Sequence, residues 1–84
     1  MTSSLKVLNL RNNTLSSTII DKFPEKCSLS TLNLGDNYLQ GQIPRSLANC
    51  TQLEVLDLER NNLTDTFPQQ LRNLNNLRVL VFRS

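Results

Sequence analysis

The chain is predicted to be an α/β solenoid with a short parallel sheet on a concave face, a 3₁₀ or irregular convex side, and about 3.3 coils of 24 residues. Three observations predict it. Leucine columns recur at that step: Leu5, Leu29, Leu53 and Leu77; Leu8, Leu32, Leu56 and Leu80; and Leu10, Leu34 and Leu58, with Phe82 closing the third. Asn13, Asn37 and Asn61 keep the same spacing, as do Leu15, Leu39 and Leu63. Finally, the second half of the coils at 29–52 and 53–76 repeats Ile43-Pro44 as Phe67-Pro68 and Leu47 as Leu71. The coils are therefore 5–28, 29–52, 53–76 and a partial 77–84, after an N-terminal extension over 1–4.

Each coil begins with a strand. Leu8 and Leu10 alternate with Val7, Asn9 and Arg11, so the leucines point inward and the residues between them outward. The chain must turn near Asn13, and a buried side-chain amide there can satisfy backbone groups that a curved coil leaves unpaired, for about 1 kcal/mol net per bond. One coil cannot bury its own leucines, whereas stacked coils share a continuous core. In the second half, a proline with φ fixed near about −65° favours a bend into a short 3₁₀ or helical turn. Coil 5–28 departs from this: Ile19-Ile20 replaces Ile-Pro, Phe23 takes the Leu47 slot and Pro24 is displaced, which predicts a less regular outer face. Leucine columns left uncovered at both ends predict marginal stability.

Nine Lys and Arg against seven Asp and Glu leave a net charge of +2, and the basic residues are scattered, which disfavours nucleic acid and anionic membrane as partners. No apolar run reaches the roughly 18 residues of a membrane span, and Met1-Thr2-Ser3-Ser4-Leu5-Lys6 lacks the apolar stretch of a signal peptide. The absence of His excludes Ser/His/Asp and Cys/His catalytic sets and, with two Cys, disfavours a zinc site. No cofactor is expected. Asp57 and Glu59, two apart on one strand face, are the only pair resembling an acid/base couple, and a solvated sheet would not separate their pKa values.

The outward strand positions form columns: Lys6, Ser30, Glu54, Arg78; Val7, Thr31, Val55, Val79; Asn9, Asn33, Asp57, Val81; Arg11, Gly35, Glu59, Arg83; Asn12, Asp36, Arg60, Ser84. Asn33, Asp36, Glu54, Asp57, Glu59, Arg60 and Arg78 are the candidate ligand-binding residues, a mixed-charge patch suited to a protein or peptide. Four strands about 4.8 Å apart and about 17 Å long cover on the order of 250 Å². A stable interface needs about 800 Å² per partner, so such a face is one part of a recognition surface.

Cys50 stands in the inward slot that Leu74 fills one coil later, as a buried thiol would. Cys27 lies in the neighbouring coil, within reach of a disulfide in an oxidising compartment, and the spacing leaves both states open. Asn12, Asn49 and Asn62 each begin an N-glycosylation sequon, a number close to what composition alone would give.

Each coil reads LxxLxLxxNxL, the leucine-rich repeat signature, and Leu39-Gln40-Gly41-Gln42-Ile43-Pro44 resembles the LxGxIP segment of plant extracellular leucine-rich repeats. Leu53-Glu54-Val55-Leu56-Asp57-Leu58, Ser46-Leu47-Ala48-Asn49-Cys50-Thr51, Asp65-Thr66-Phe67-Pro68 and the run from Leu77 to Ser84 are similar to the late repeats of plant receptor-like proteins of the Cf and Ve type. Gln70 departs from them, since that family often carries Trp there. The resemblance covers residues 3–84 and implies a leucine-rich repeat solenoid from the extracellular face of the plasma membrane. It further implies non-catalytic recognition of a protein or peptide in defence or development, with signalling delegated to a partner receptor kinase. The N-terminal cap, island segment and membrane helix usual in the family are not in the sequence, which reads as an internal piece of such a receptor making no membrane contact itself. Polygalacturonase-inhibiting proteins and receptor kinase ectodomains use the same repeat type and are the alternatives.

Overall fold

A computed structural model describes residues 4–64 and 67–83. Of the expected extension only Ser4 falls within that range, and Asp65, Thr66 and Ser84 lie outside it. The elements are β1 (Val7–Asn9), β2 (Ser16–Thr18), β3 (Thr31–Asn33), β4 (Tyr38–Gly41), the 3₁₀ helix η1 (Arg45–Asn49), β5 (Val55–Asp57), β6 (Asn62–Leu63), the 3₁₀ helix η2 (Gln69–Asn73) and β7 (Val79–Val81). β1, β3, β5 and β7 form a parallel sheet in that order, pairing Val7 with Thr31, Thr31 with Val55 and Val55 with Val79. That register is the 24-residue step of the leucine columns.

Alternation along these strands sends Leu32 and Leu56 into the core, where they are 1% and 0% exposed. Leu29, Leu53 and Leu58 join them, with Ile43 and Leu47 closing the core from the convex side. Removing any one of these side chains to alanine costs about 2–5 kcal/mol in a packed core. The predicted proline bends precede η1 and η2. Pro44 (φ −71°) and Pro68 (φ −59°) are extended, and their carbonyls accept from the amides of Leu47 (3.3 Å) and Leu71 (3.1 Å), closing the first turn. The first coil has no such helix. Ile20 is 72% exposed there, while Phe23 is buried, its amide donating to Ser46 Oγ (3.0 Å) and its carbonyl accepting from Asn49 Nδ2 (2.9 Å).

Sequence reading did not anticipate a second parallel sheet, β2-β4-β6, on the side of the stack. Its register differs: Ser16 faces Tyr38 and Gln40 faces Asn62, a step of 22 residues. Leu39 therefore lies opposite Ser17, and Leu63 opposite Gly41. Ser17 (φ 72°) and Gly41 (φ 84°) are both left-handed, and a Cβ on Gly41 would stand 2.9 Å from the Thr18 side chain. The Gly of LxGxIP thus answers a backbone requirement that Ser17 meets at a cost. Ser17→Gly is expected to raise stability by about 0.5–1 kcal/mol, read as a higher urea midpoint at unchanged slope. An unchanged or lower midpoint would show that this backbone position carries no strain.

Cys27 and Cys50 form a disulfide with Cα atoms 4.7 Å apart, joining coil one to coil two inside the core. Of the two states the spacing leaves open, the structure takes the cross-link, because Cys50 caps η1 and faces Cys27 across the coil boundary. The ends of the stack are as open as expected: Leu10 and Leu15 are 37% exposed and Leu80 46%, against 7%, 5% and 0% for Leu34, Leu39 and Leu56.

Candidate functional site

The asparagine ladder bridges the two sheets and their two registers. Asn37 Oδ1 accepts from the amides of Asn13 (3.1 Å) and Leu15 (3.2 Å), 24 and 22 residues back. Its Nδ2 donates to the carbonyls of Leu10, Leu34 and Gly35, each at 3.0 Å. Asn61 repeats the pattern with the carbonyls of Leu34, Leu58 and Glu59 and the amide of Leu39. Each amide therefore holds the end of one face strand against the start of the lateral sheet, which positions the residues between them.

Those residues compose the concave face. In the column Asn9, Asn33, Asp57, each side-chain oxygen accepts from the amide two residues on, that of Arg11 (3.1 Å), Gly35 (3.0 Å) and Glu59 (3.1 Å). Asn12, Asp36 and Arg60 follow in left-handed conformations (φ 59°, 54° and 55°), a region that Asn and Asp enter more readily than other non-glycine residues. Two of the outward columns thus serve the turn as well as the surface.

Arg11 dominates the electrostatics. Its guanidinium crosses the second coil to reach the third, with Nη1 2.9 Å from Asp57 Oδ2, Nη2 2.7 Å from Glu59 Oε2 and Nη2 3.0 Å from Asp36 Oδ2. Gly35 leaves the path open, since a Cβ there would lie 2.6 Å from Arg11 Nη1. Arg60 pairs with Asp36 through Nε and through Nη2 (3.1 Å), and Arg83 Nη2 reaches Glu59 Oε1 at 3.3 Å. Three carboxylates and three guanidinium groups form one neutral lattice.

The Arg11 hydrogen bond is the main cause holding the Glu59 carboxyl below its ordinary pKa, and the Arg60 hydrogen bond does the same for Asp36. Outside this lattice, Asp21 is lowered first by hydrogen bonding to the Ser46 side chain and then by the Ser46 amide. A depressed folded-state pKa gives stability that is present above the unfolded value, about 4 for a carboxylate, and lost as pH falls through the folded value. The urea midpoint is therefore expected to stay level from about pH 7 to 5 and to fall below about pH 4. A midpoint that rises on acidification would show that these carboxylates are held unfavourably. With its carboxyl held ionised by arginine, Glu59 has no proton to offer as a general acid at neutral pH.

Of the seven candidate residues, Asp36, Asp57, Glu59 and Arg60 are gathered into the lattice, and Asn33 lies beside it with Oδ1 3.4 Å from Arg11 Nη1. Glu54 and Arg78 stand at the other margin of the sheet, exposed and without an ion pair among the described residues. Between the two margins runs a stripe of Val7, Thr31, Val55 and Val79. The seven candidates omit Arg11, although its column already places it opposite Gly35 and Glu59. Its reach over two coils depends on side-chain direction, which spacing does not give. Among the sequons, Asn12 and Asn62 are exposed, whereas Asn49 is half-buried and donates its side-chain amide to Phe23.

A family model described as leucine rich repeat matches residues 27–84, and a second of the same description matches residues 4–25. A search of curated proteins finds no match. Among solved structures, the chain is similar to one in the BIR3–SERK2 complex from Arabidopsis thaliana, at 37% identity and TM-score 0.88, covering 95% of this chain and 43% of that one. It is similar also to one in the structure of the Arabidopsis receptor kinase HAESA with the peptide hormone IDA and the co-receptor SERK1, at 42% identity and TM-score 0.86, covering 94% and 13%. The ectodomain of the Arabidopsis membrane receptor kinase GASSHO1/SCHENGEN3, at 21% identity, TM-score 0.64 and coverage of 94% and 13%, shares the fold. The chain thus spans less than half the length of each of these structures.

Proposed function

We propose that this chain, which belongs to the leucine-rich repeat family, is a segment of the extracellular recognition domain of a plant cell-surface receptor, binding a peptide or protein across its concave face without catalysis. The observation that carries this reading is the face itself. An apolar stripe through Val55 and Val79 is flanked by the Arg11 lattice, whose members hold one another in place before any ligand arrives. An extended peptide lying across the strands would set small apolar side chains on the stripe and polar groups against Asn33, Asp36 and Arg60. Glu54 and Arg78 would meet it at the opposite margin.

The similarity to HAESA, whose structure contains a peptide hormone and a co-receptor, supports a receptor kinase as the parent and a partner kinase as its signalling companion. The Cf and Ve type receptor-like protein, in defence or development, is the narrower alternative, resting on Leu53–Leu58 and the late-repeat motifs. The Cys27–Cys50 cross-link supports an oxidising, extracellular setting, in which Asn12 and Asn62 would carry glycans more readily than Asn49.

Selection of the 84-residue chain against a random peptide library tests the reading. Recovered peptides should lose binding to Val55→Lys on the concave face and keep it for Arg72→Glu on η2. Peptides indifferent to Val55, or no recoverable peptide, would overturn it.

A further inference from the structure

The outward face of the lateral sheet β2-β4-β6 is uncharged and carries one large ring. Leu39 and Leu63 turn inward, leaving Ser16, Thr18, Tyr38, Gln40, Asn62 and Thr64 exposed, with Tyr38 at 68%. Coils stack along the direction of strand pairing, and this face looks sideways from the stack. Neighbouring coils therefore extend it without covering it.

Asn62-Leu63-Thr64 is a sequon whose asparagine and threonine both point outward from this face. The sequon at Asn49 is different, because that side-chain amide is engaged with the Phe23 carbonyl. Register places Asn62 beside Gln40 and Gln40 beside Thr18, while Tyr38 stands two residues before Gln40 on the same side of β4. With strands about 4.8 Å apart and a rise of about 3.3 Å per residue, Tyr38 lies diagonally about 8 Å from Asn62. An asparagine side chain and one sugar ring span that distance.

We propose that Asn62 is an N-glycosylation site whose first N-acetylglucosamine rests on the Tyr38 ring. In the modification, Asn62 Nδ2 bonds to C1 of the sugar, the C1–O bond to a lipid-linked pyrophosphate donor breaks, and the amide proton passes to a base of the transferase. The C–H face of the pyranose then covers the aromatic ring, and its N-acetyl group meets the Gln40 amide. A bulky hydrophilic occupant also shields an exposed aromatic on an uncharged sheet face, where association would otherwise start. The inference rests on the extracellular setting proposed above and is independent of any ligand on the concave face.

The test is made on the 84-residue chain secreted from a eukaryotic host, with Thr14→Ala and Thr51→Ala removing the other two sequons. Peptide mapping by mass should find Asn62 occupied. After trimming to a single N-acetylglucosamine, nuclear Overhauser contacts should join its ring protons to those of Tyr38, with the sugar protons shifted upfield. The urea midpoint should exceed that of the same chain carrying Thr64→Ala. Tyr38→Ala should erase that increment at unchanged occupancy, and Tyr38→Phe should keep it, since the ring makes the contact. An unoccupied Asn62, no contact with Tyr38, or an increment that survives Tyr38→Ala overturns the proposal. Such a host attaches the glycan without regard to the native setting, so failure here leaves the concave-face reading standing, and failed peptide selection leaves this one.

Discussion

Asn37→Ala is expected to lower the unfolding free energy by about 3–4 kcal/mol, among the largest losses available to a single polar substitution in this chain. Asn37 is 5% exposed and engages five backbone groups, two amides and three carbonyls, drawn from the preceding coil and from its own. Removing its amide takes a partner from all five at once; the Leu10 and Leu34 carbonyls keep bonds from Asn13 and Asn61, and the groups left unpaired in the buried part of the turn cost about 1–3 kcal/mol each. Asn13, exposed at the open end with two donated bonds, should lose only about 1 kcal/mol on the same change, because water replaces them. Urea unfolding followed by circular dichroism measures both. Equal losses at Asn13 and Asn37 would mean that burial is not what makes the ladder stabilising. A domain of this size has about 5–10 kcal/mol in all, so Asn37→Ala should be near the limit of folding at 37 °C.

Replacing Cys27 and Cys50 together by alanine is expected to cost a further amount of similar size, about 3 kcal/mol. The cross-link closes a loop with a sequence separation of 23, and its removal restores conformational freedom to the unfolded chain. It also ties together the least regular coil and the most regular one. Phe23 packs under η1 through Ser46 and Asn49, and Asp21 accepts from the Ser46 amide, so that without the disulfide these hydrogen bonds tie that segment to η1. Reduction of the native chain should therefore lower its stability as the double substitution does, and hydrogen exchange should quicken first near Phe23 and Cys27. If the reduced and oxidised chains unfold at the same urea concentration, the disulfide is incidental to the fold.

Both predictions concern residues whose presence the sequence announces and whose partners it does not. The asparagine column is visible at a glance, and the reading that its amides satisfy backbone groups at a turn is correct. That Asn37 joins a 24-residue register to a 22-residue one is invisible, because the lateral sheet pairs Leu39 with Ser17 and not with Leu15. The same holds for the candidate site. Columns place Asp57, Glu59 and Arg60 on one face, but only the coil-to-coil distance and the empty space above Gly35 let Arg11 reach across to them.

By itself the sequence determined the repeat length, the leucines of the core, the turn asparagines and the proline-led 3₁₀ segments, because each is a local preference written again every 24 residues. Periodicity turns a weak local signal into a firm one. Only the tertiary structure decided the second sheet, the Cys27–Cys50 bond and the lattice around Arg11. These join residues of different coils through side-chain direction and small offsets in register. A column of letters holds neither quantity, since it records which residues recur and not how far each coil slides past the next.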